Sequence, residues 1–306
     1  MVEAALAEDH DPNEVRVHRD LDEDRQPFGA YLEDLRWRNY SPATVDARRW
    51  LLWRFTRFMD GRPIVEATPD DVVAYLRRPM RGPGRRGASS VAGDRAGLAA
   101  FFAWCVKHGI RQENPCDRVS RPKVPRGLPR PIAEDRLAEA IATAPDRIRP
   151  AFYIAAFAGL RAGEIAQLRG EDVQRHLEPP MLIVRRGKGG DARTVPIAPA
   201  LLEVLDTLPR SGWLFPRVDG QPGALKPHSI SQMANAHLHR LGYLDTLHSL
   251  RHRFGTQVYR TSGRDIRQTQ ELMGHRSIIS TAIYTHVDPI EAAATVAAMP
   301  TVAFRP

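Results

Sequence analysis

At 306 residues and a formal net charge of +8, the chain has room for two domains of roughly 100 to 200 residues each, and its charge suits a polyanionic partner as well as any basic soluble protein. No run approaches the roughly 18 apolar residues of a membrane span, and the acidic N-terminus lacks the basic-then-apolar order of a signal peptide, which argues against membrane and secreted settings and for a cytoplasmic one. Cys105 and Cys116 are the only cysteines, too few for a disulfide framework and without the paired spacing of a zinc site, so both are expected as reduced thiols and neither metal nor cofactor is implied.

Residues 1–25 hold nine acids and three arginines, a net of −6 that leaves +14 on residues 26–306. The leader is expected as a disordered tail ahead of a strongly basic folded part. From 26 to 119 the pattern is helical. Ser41-Pro42 and Thr68-Pro69 each read as an N-cap with proline at the first helical position, followed by Trp50, Leu51, Trp53, Phe55 and Phe58 in one case and Val72, Val73, Tyr75 and Leu76 in the other. A basic loop over 77–87 leads to a long helix opening near Ser89 or Ser90 and running to about Lys107. Four or five such helices make an all-α unit.

Residues 120–131, SRPKVPRGLPRP, combine four prolines with Arg121, Lys123, Arg126 and Arg130. Proline density prevents a continuous helix and gives a stiff connector, either a solvated linker or a basic strap along a phosphate backbone. Beyond it the chain is mixed. Helical stretches near 133–143 and 147–158 precede Met181–Val184 and Thr194–Ile197, two apolar runs around a glycine-rich turn that read as a hairpin, and helices are expected to dominate from about 198 to 298.

Four segments of this second part carry polar residues of a kind a core would avoid: GLRAGEI at 159–165, RRGKGGDARTVPI at 185–197, LHSLRHRFGT at 247–256 and LMGHRSIISTAIYTHV at 272–287. In order and separation they resemble the catalytic boxes of the tyrosine recombinase family, which includes phage integrases, the Xer recombinases and Cre; the resemblance spans residues 26–298. It implies a mainly α fold with a small β-hairpin or sheet: an all-α SAM-like core-binding domain over 26–119, a linker over 120–131, an α+β catalytic domain over 132–298 and a tail over 299–306.

Attack on a phosphodiester adds negative charge to its non-bridging oxygens and makes a poor alkoxide leaving group, so a metal-free site needs fixed cations and a proton donor. Guanidinium groups stay charged and donate paired hydrogen bonds, and the resemblance makes Arg161 and Arg251 the phosphate clamp. It makes Lys188, between two glycines at the hairpin tip, a mobile general acid for the 5′ oxygen. All but four of the 44 basic residues are arginine, so a lysine kept at such a position suits a proton that arginine cannot release. By the same resemblance His248 takes part in proton transfer and His275 hydrogen-bonds the phosphate, while Glu164 braces the site. His248 and Arg251, three apart, are expected on one helix face. His252 and His286 read as structural residues. Tyr284, nine residues after His275, is the nucleophile; a phenol ionises near pH 10 and needs cations to ease formation of the phenolate.

The implied partner is double-stranded DNA with a specific core site, gripped between the two domains, with Arg38, Arg48, Arg49, Arg85, Arg86, Arg95, Arg121, Lys123 and Arg126 as candidate contacts, most of them to phosphates. The implied assembly is a homo- or hetero-tetramer in the synaptic complex, with accessory proteins as further partners. An alanine-rich helix over 290–298, followed by Val302 and Phe304, is expected to dock on a neighbouring protomer. The acidic leader is too short and too charged for the extra arm-binding domain of many large integrases, which leaves a Xer-like two-domain layout or a small integrase. A non-cleaving DNA-binding relative would share charge and fold but leave the active-site residues without purpose. A metal hydrolase could use the i, i+4 pair His248 and His252, but Ser249 stands where that motif has glutamate and no third ligand is evident. A type IB topoisomerase shares much of the chemistry, yet the boxes and size look like a recombinase.

Overall fold

Ser41 opens a helix as its side chain predicts: in the computed structural model its hydroxyl accepts from the Thr44 backbone N–H at 3.2 Å. Thr68 does the same reciprocally, with Asp71 returning a hydrogen bond to the Thr68 N–H at 2.9 Å. The structure describes residues 27–79, 86–125, 129–185, 192–275 and 277–285. The acidic leader, Arg85, Arg126, Lys188 with the hairpin turn, His286 and the C-terminal helix and tail lie outside the described residues.

The chain divides into two compact units, with the boundary in sequence between Arg126 and Gly127. Among the described residues the first holds α1 (Pro27–Trp37), α2 (Pro42–Phe58), α3 (Pro69–Arg77) and α4 (Ala88–Lys107), with single 3-10 turns at Ile64–Glu66 and Pro115–Arg118. Their apolar faces close on Leu32, Leu52, Phe55, Tyr75, Leu98, Phe101 and Phe102, all fully buried. Phe55 and Tyr75 meet edge to face at 5.0 Å, the preferred geometry of aromatic pairs.

Among the described residues the second unit runs α5 (Glu134–Thr143), α6 (Arg149–Phe157), α7 (Ala162–Ala166), β1 (Val173–Gln174), β2 (Met181–Val184), β3 (Arg193–Pro196), α8 (Pro199–Asp206), α9 (Pro227–Arg240), α10 (Leu247–Thr261), α11 (Ile266–Met273) and α12 (Ile278–Thr281), with 3-10 turns over Gly170–Asp172 and Ala282–Thr285. The strands form an antiparallel sheet in chain order, with Leu182 opposite Val195 and Val184 opposite Arg193. β1, only two residues long, is too short to show alternation in sequence. Helix dominance beyond 198 is interrupted: residues 207–226 are irregular, tied by bridges between Arg169 and Trp213 and between Pro216 and Ala224. Pro209, Pro216 and Pro222, with Gly212, Gly220 and Gly223 at positive φ, account for this.

The mostly helical architecture with its small sheet agrees with the expected fold class. Among the described residues no helix is long and apolar enough to cross a membrane.

Candidate active site in the second unit

The buried helix α10, which packs along α6, carries His248, Arg251 and His252, while α7, α11 and the 3-10 turn bring Arg161, His275 and Tyr284 to the same place. Arg161 stands at the N-cap of α7. Its backbone N–H donates to Glu164 Oε2 at 2.8 Å and its Nη1 to Oε1 at 3.1 Å. Its side chain is 27% exposed, which leaves a guanidinium edge open to a ligand.

Arg251 is turned the other way, with 1% exposure. Its Nη2 donates to the Met273 carbonyl at 2.6 Å, its Nη1 to the Gly159 carbonyl, and it lies 3.7 Å from Glu164 Oε2. These bonds tie α10 to the segment before Arg161 and to the end of α11. His248 and Arg251 lie three apart on α10, as expected, but their side chains diverge. His248, exposed, sets its ring edge-on to that of His252 at 4.6 Å, while Arg251 points inward.

Glu164, 4% exposed, is the hub. Arg193 grips both its oxygens, at 2.8 and 3.1 Å, in the paired geometry that suits guanidinium and carboxylate. Burial would raise its pKa, but the hydrogen bonds and charge of Arg193, the Arg161 N–H and the charge of Arg251 more than offset this and hold its carboxyl below the usual range. Arg193 also fits against Gly274, which caps α11 in the left-handed conformation at φ 60; a Cβ there would sit 2.7 Å from Arg193 Nη1. The cap turns the chain so that His275 follows directly, its Nδ1 2.9 Å from the Thr281 hydroxyl.

Tyr284 is 5% exposed, its ring parallel to that of His275 within 8° at a centroid distance of 6.3 Å. The ring occupies the space left by Gly255, whose Cβ, if it had one, would be 2.5 Å from Tyr284 Cζ. The phenol oxygen is 3.1 Å from His252 Nδ1. Burial pushes the phenol pKa up to about 12, against the opposing pull of Arg251 and Arg161. The imidazoles shift the other way. Burial and the cation Arg251 lower His252 to about 4, burial with Arg251, Arg161 and Arg193 lowers His275 to about 3, and partial burial with His252 and Arg251 lowers His248. All three are neutral at pH 7. Among the described residues no group of three or more His, Cys, Asp or Glu is placed to hold a metal ion.

Arg161, Arg251, Glu164, His275 and Tyr284 are thus brought together, with His248 at the edge through His252. Arg193 and His252 were not expected there. His252 could have been found from its i, i+4 spacing to His248; Arg193 gave no signal among so many arginines.

The candidate DNA contacts of the first unit fare unevenly. Arg38 is exposed, beside Asp34 and Tyr40; Arg49 pairs with Asp46 at 2.8 Å; Arg48 is half-buried; Arg121 and Lys123 are exposed. Arg95 is a correction. It is 9% exposed and donates to the Val119 carbonyl at 2.7 and 2.9 Å and to the Cys116 carbonyl at 2.8 Å, so it holds the Pro115–Arg118 turn and faces no ligand. Arg86, a candidate contact, is turned to Asp94 and the Leu76 carbonyl with 13% of its side chain exposed.

Comparison with known proteins matches residues 132–291 to the model of the phage integrase family and residues 28–109 to that of the phage integrase N-terminal SAM-like domain. Tyrosine recombinase XerC of Roseiflexus castenholzii is 32% identical over 293 residues, covering 88% of this chain and 90% of that protein. Tyrosine recombinase XerA of Pyrococcus horikoshii is 32% identical over 275 residues, covering 86% of this chain and 88% of the other. Among solved structures, a lambda integrase dimer bound to a COC′ core site superposes with a TM-score of 0.66 at 18% identity, over 83% of this chain and 92% of that one, a likeness of fold. The chain belongs to the phage integrase family of tyrosine recombinases.

Proposed function

We propose that this protein cuts and rejoins double-stranded DNA at a specific core site through a 3′-phosphotyrosine on Tyr284, without metal or ATP. The observation that carries the reading is the convergence of a phenol, two arginines bound to one buried carboxylate and three neutral imidazoles, supplied by segments up to 123 residues apart in sequence. Arg161 offers its open edge to the scissile phosphate, and Arg251 supplies fixed positive charge from below. Glu164 keeps the two apart from mutual repulsion and in one orientation. His275, anchored through Nδ1, offers its other nitrogen to a phosphate oxygen. Lys188 protonates the departing 5′ oxygen and takes the proton back on rejoining, a role that rests on the resemblance of its box. His248 takes part in proton transfer at the edge of the site. The phosphotyrosine keeps the energy of the ester it replaces, so a 5′ hydroxyl from the same or a second duplex can reverse the step.

That relatives over nearly the whole length are tyrosine recombinases, and that a neighbour in fold was crystallised on a core site, supports DNA as the partner. The working assembly is a homo- or hetero-tetramer on two sites, aided by accessory proteins. The test begins with sequencing DNA captured by the protein, then uses that site in a nicked suicide substrate. A covalent adduct is expected, retained in EDTA and lost in Tyr284→Phe. Absence of an adduct from active, site-bound protein overturns the reading in favour of a DNA-binding relative that does not cut.

A further inference from the structure

Tyr284 must lose a proton as its oxygen attacks phosphorus, and burial makes that loss harder. Among the described residues the hydroxyl has one hydrogen-bond partner, Nδ1 of His252 at 3.1 Å, with the rings 60° apart and their centroids at 5.9 Å. His248, the histidine expected in proton transfer, is in contact with the His252 ring, and no hydrogen bond joins it to the phenol. We propose that His252 is a catalytic residue, the general base that takes the phenol proton during cleavage and returns it during rejoining.

The step balances within the site. The Tyr284 O–H bond breaks and its proton passes to His252 Nδ1 as the Tyr284 oxygen bonds to phosphorus, while the phosphorus–O5′ bond breaks and the leaving oxygen takes its proton from the general acid on the other side. On rejoining, the 5′ hydroxyl attacks, the tyrosine–phosphorus bond breaks, and protonated His252 returns its proton to the departing phenolate. The base must therefore rest neutral, with its ring hydrogen on Nε2 and the lone pair of Nδ1 aimed at the hydroxyl.

The surroundings favour that state. Among the described residues, the charged and titratable groups around His252 are His248 and Arg251 on its own helix, Tyr284 on the 3-10 turn and His275 after α11. None is a carboxylate that would fix a proton on the imidazole. Burial and Arg251 hold its pKa near 4, so the acceptor form is fully populated at neutral pH. Position 252 is also held. It sits one residue after Arg251, whose carbonyl contacts lock this turn of α10, and three before Gly255, the gap that admits the Tyr284 ring.

This inference rests on the phosphotyrosine reading and is tested apart from it. Single-turnover cleavage and rejoining are measured on the nicked captured site for wild type, His252→Asn, His252→Ala and Tyr284→Phe. The asparagine amide occupies the place of Nδ1 and can hold a hydrogen bond but cannot take a proton. Both directions are expected to slow about 100-fold in His252→Asn with DNA affinity and melting temperature unchanged, as loss of a general base costs. The wild-type rate should be flat from pH 6 to 8 and the variants' rates should climb with pH toward the phenol pKa; added imidazole should restore part of the His252→Ala rate. A His252→Asn rate within about threefold of wild type overturns the assignment. So does a loss with an unchanged pH profile and no imidazole response, which marks a structural histidine. An adduct surviving in Tyr284→Phe instead sinks the parent reading.

Discussion

Among the described residues, two carboxylates each gather three arginines, one in each unit. Asp94 in the helical unit lies 3.7 Å from Arg54 and 3.4 Å from Arg78 and is paired with Arg86; Glu164 in the second unit lies 2.8 Å from Arg193, 3.1 Å from Arg161 and 3.7 Å from Arg251. Each cluster has a tyrosine beside it. Burial and the charge of Asp94 raise the pKa of Tyr75 against the pull of Arg78 and Arg54, while at Tyr284 burial raises it against the pull of Arg251 and Arg161. Asp94 keeps 13% of its side chain in water against 3% for Glu164, so the surplus charge of the first cluster is partly screened and that of the second is not. Arginines near a tyrosine are not enough for a nucleophile. The depth of the cluster and a proton acceptor on the hydroxyl separate the two.

The largest expected break in this comparison is at Glu164. Glu164→Ala strands three guanidinium groups around an empty site, at a cost of about 3 to 5 kcal/mol by analogy with broken buried pairs, whereas Asp94→Ala should cost on the order of 1 kcal/mol. Urea unfolding of the two variants measures this, and equal losses would erase the distinction. Acid sharpens it. The folded pKa of Glu164 lies below its unfolded value, so its contribution is present above about pH 4.3 and is lost as pH falls through the folded pKa. Glu164→Gln should therefore lose most stability at neutral pH and converge on wild type in acid.

Helix starts and the hairpin were legible because they are local: a serine or threonine before proline, a glycine closing a helix, short apolar runs on either side of a glycine-rich turn. Arg95 was legible too, had the helical period been applied to it. Arg95, Leu98, Phe102 and Cys105 fall on one face of α4, and all are buried. Its charge misdirected the reading, since nothing in sequence announces the Cys116 and Val119 carbonyls it serves. The i, i+4 spacing of His252 to His248 was visible, but what Arg193 and His252 each touch was not, for another reason. Their roles exist only once Glu164 and Tyr284 have been brought to them, across 29 and 32 residues of chain. The catalytic boxes were readable as boxes; which members touch was a property of the fold.

A smaller effect is expected at Arg193. It closes the ladder opposite Val184, and Lys188 belongs to the residues between them, so its paired hydrogen bonds to Glu164 join the hairpin to the arginine pair. Arg193→Lys keeps the charge and loses the fork, and cleavage should fall about tenfold with DNA affinity held. A substrate with sulfur in place of the 5′ bridging oxygen needs no proton on its leaving group. If that substrate restores Arg193→Lys, Arg193 acts through the hairpin; if it does not, Arg193 acts through Glu164 and Arg161.

The smallest effect on DNA is expected at Arg95, and it separates a cation that binds the protein from one that binds a ligand. Arg95→Ala takes its donor from the Val119 carbonyl, while the Cys116 carbonyl keeps the Val119 N–H, and should cost about 1 to 3 kcal/mol of stability, read in urea. The salt dependence of DNA binding should not change. Arg121→Ala, at an exposed position, should do the reverse, with stability held and the slope of log affinity against log salt reduced by about 1 if it meets a phosphate. A reduced slope in Arg95→Ala would mean that DNA draws this arginine out of the core, because a side chain bound to two internal carbonyls cannot also release a counterion from the duplex.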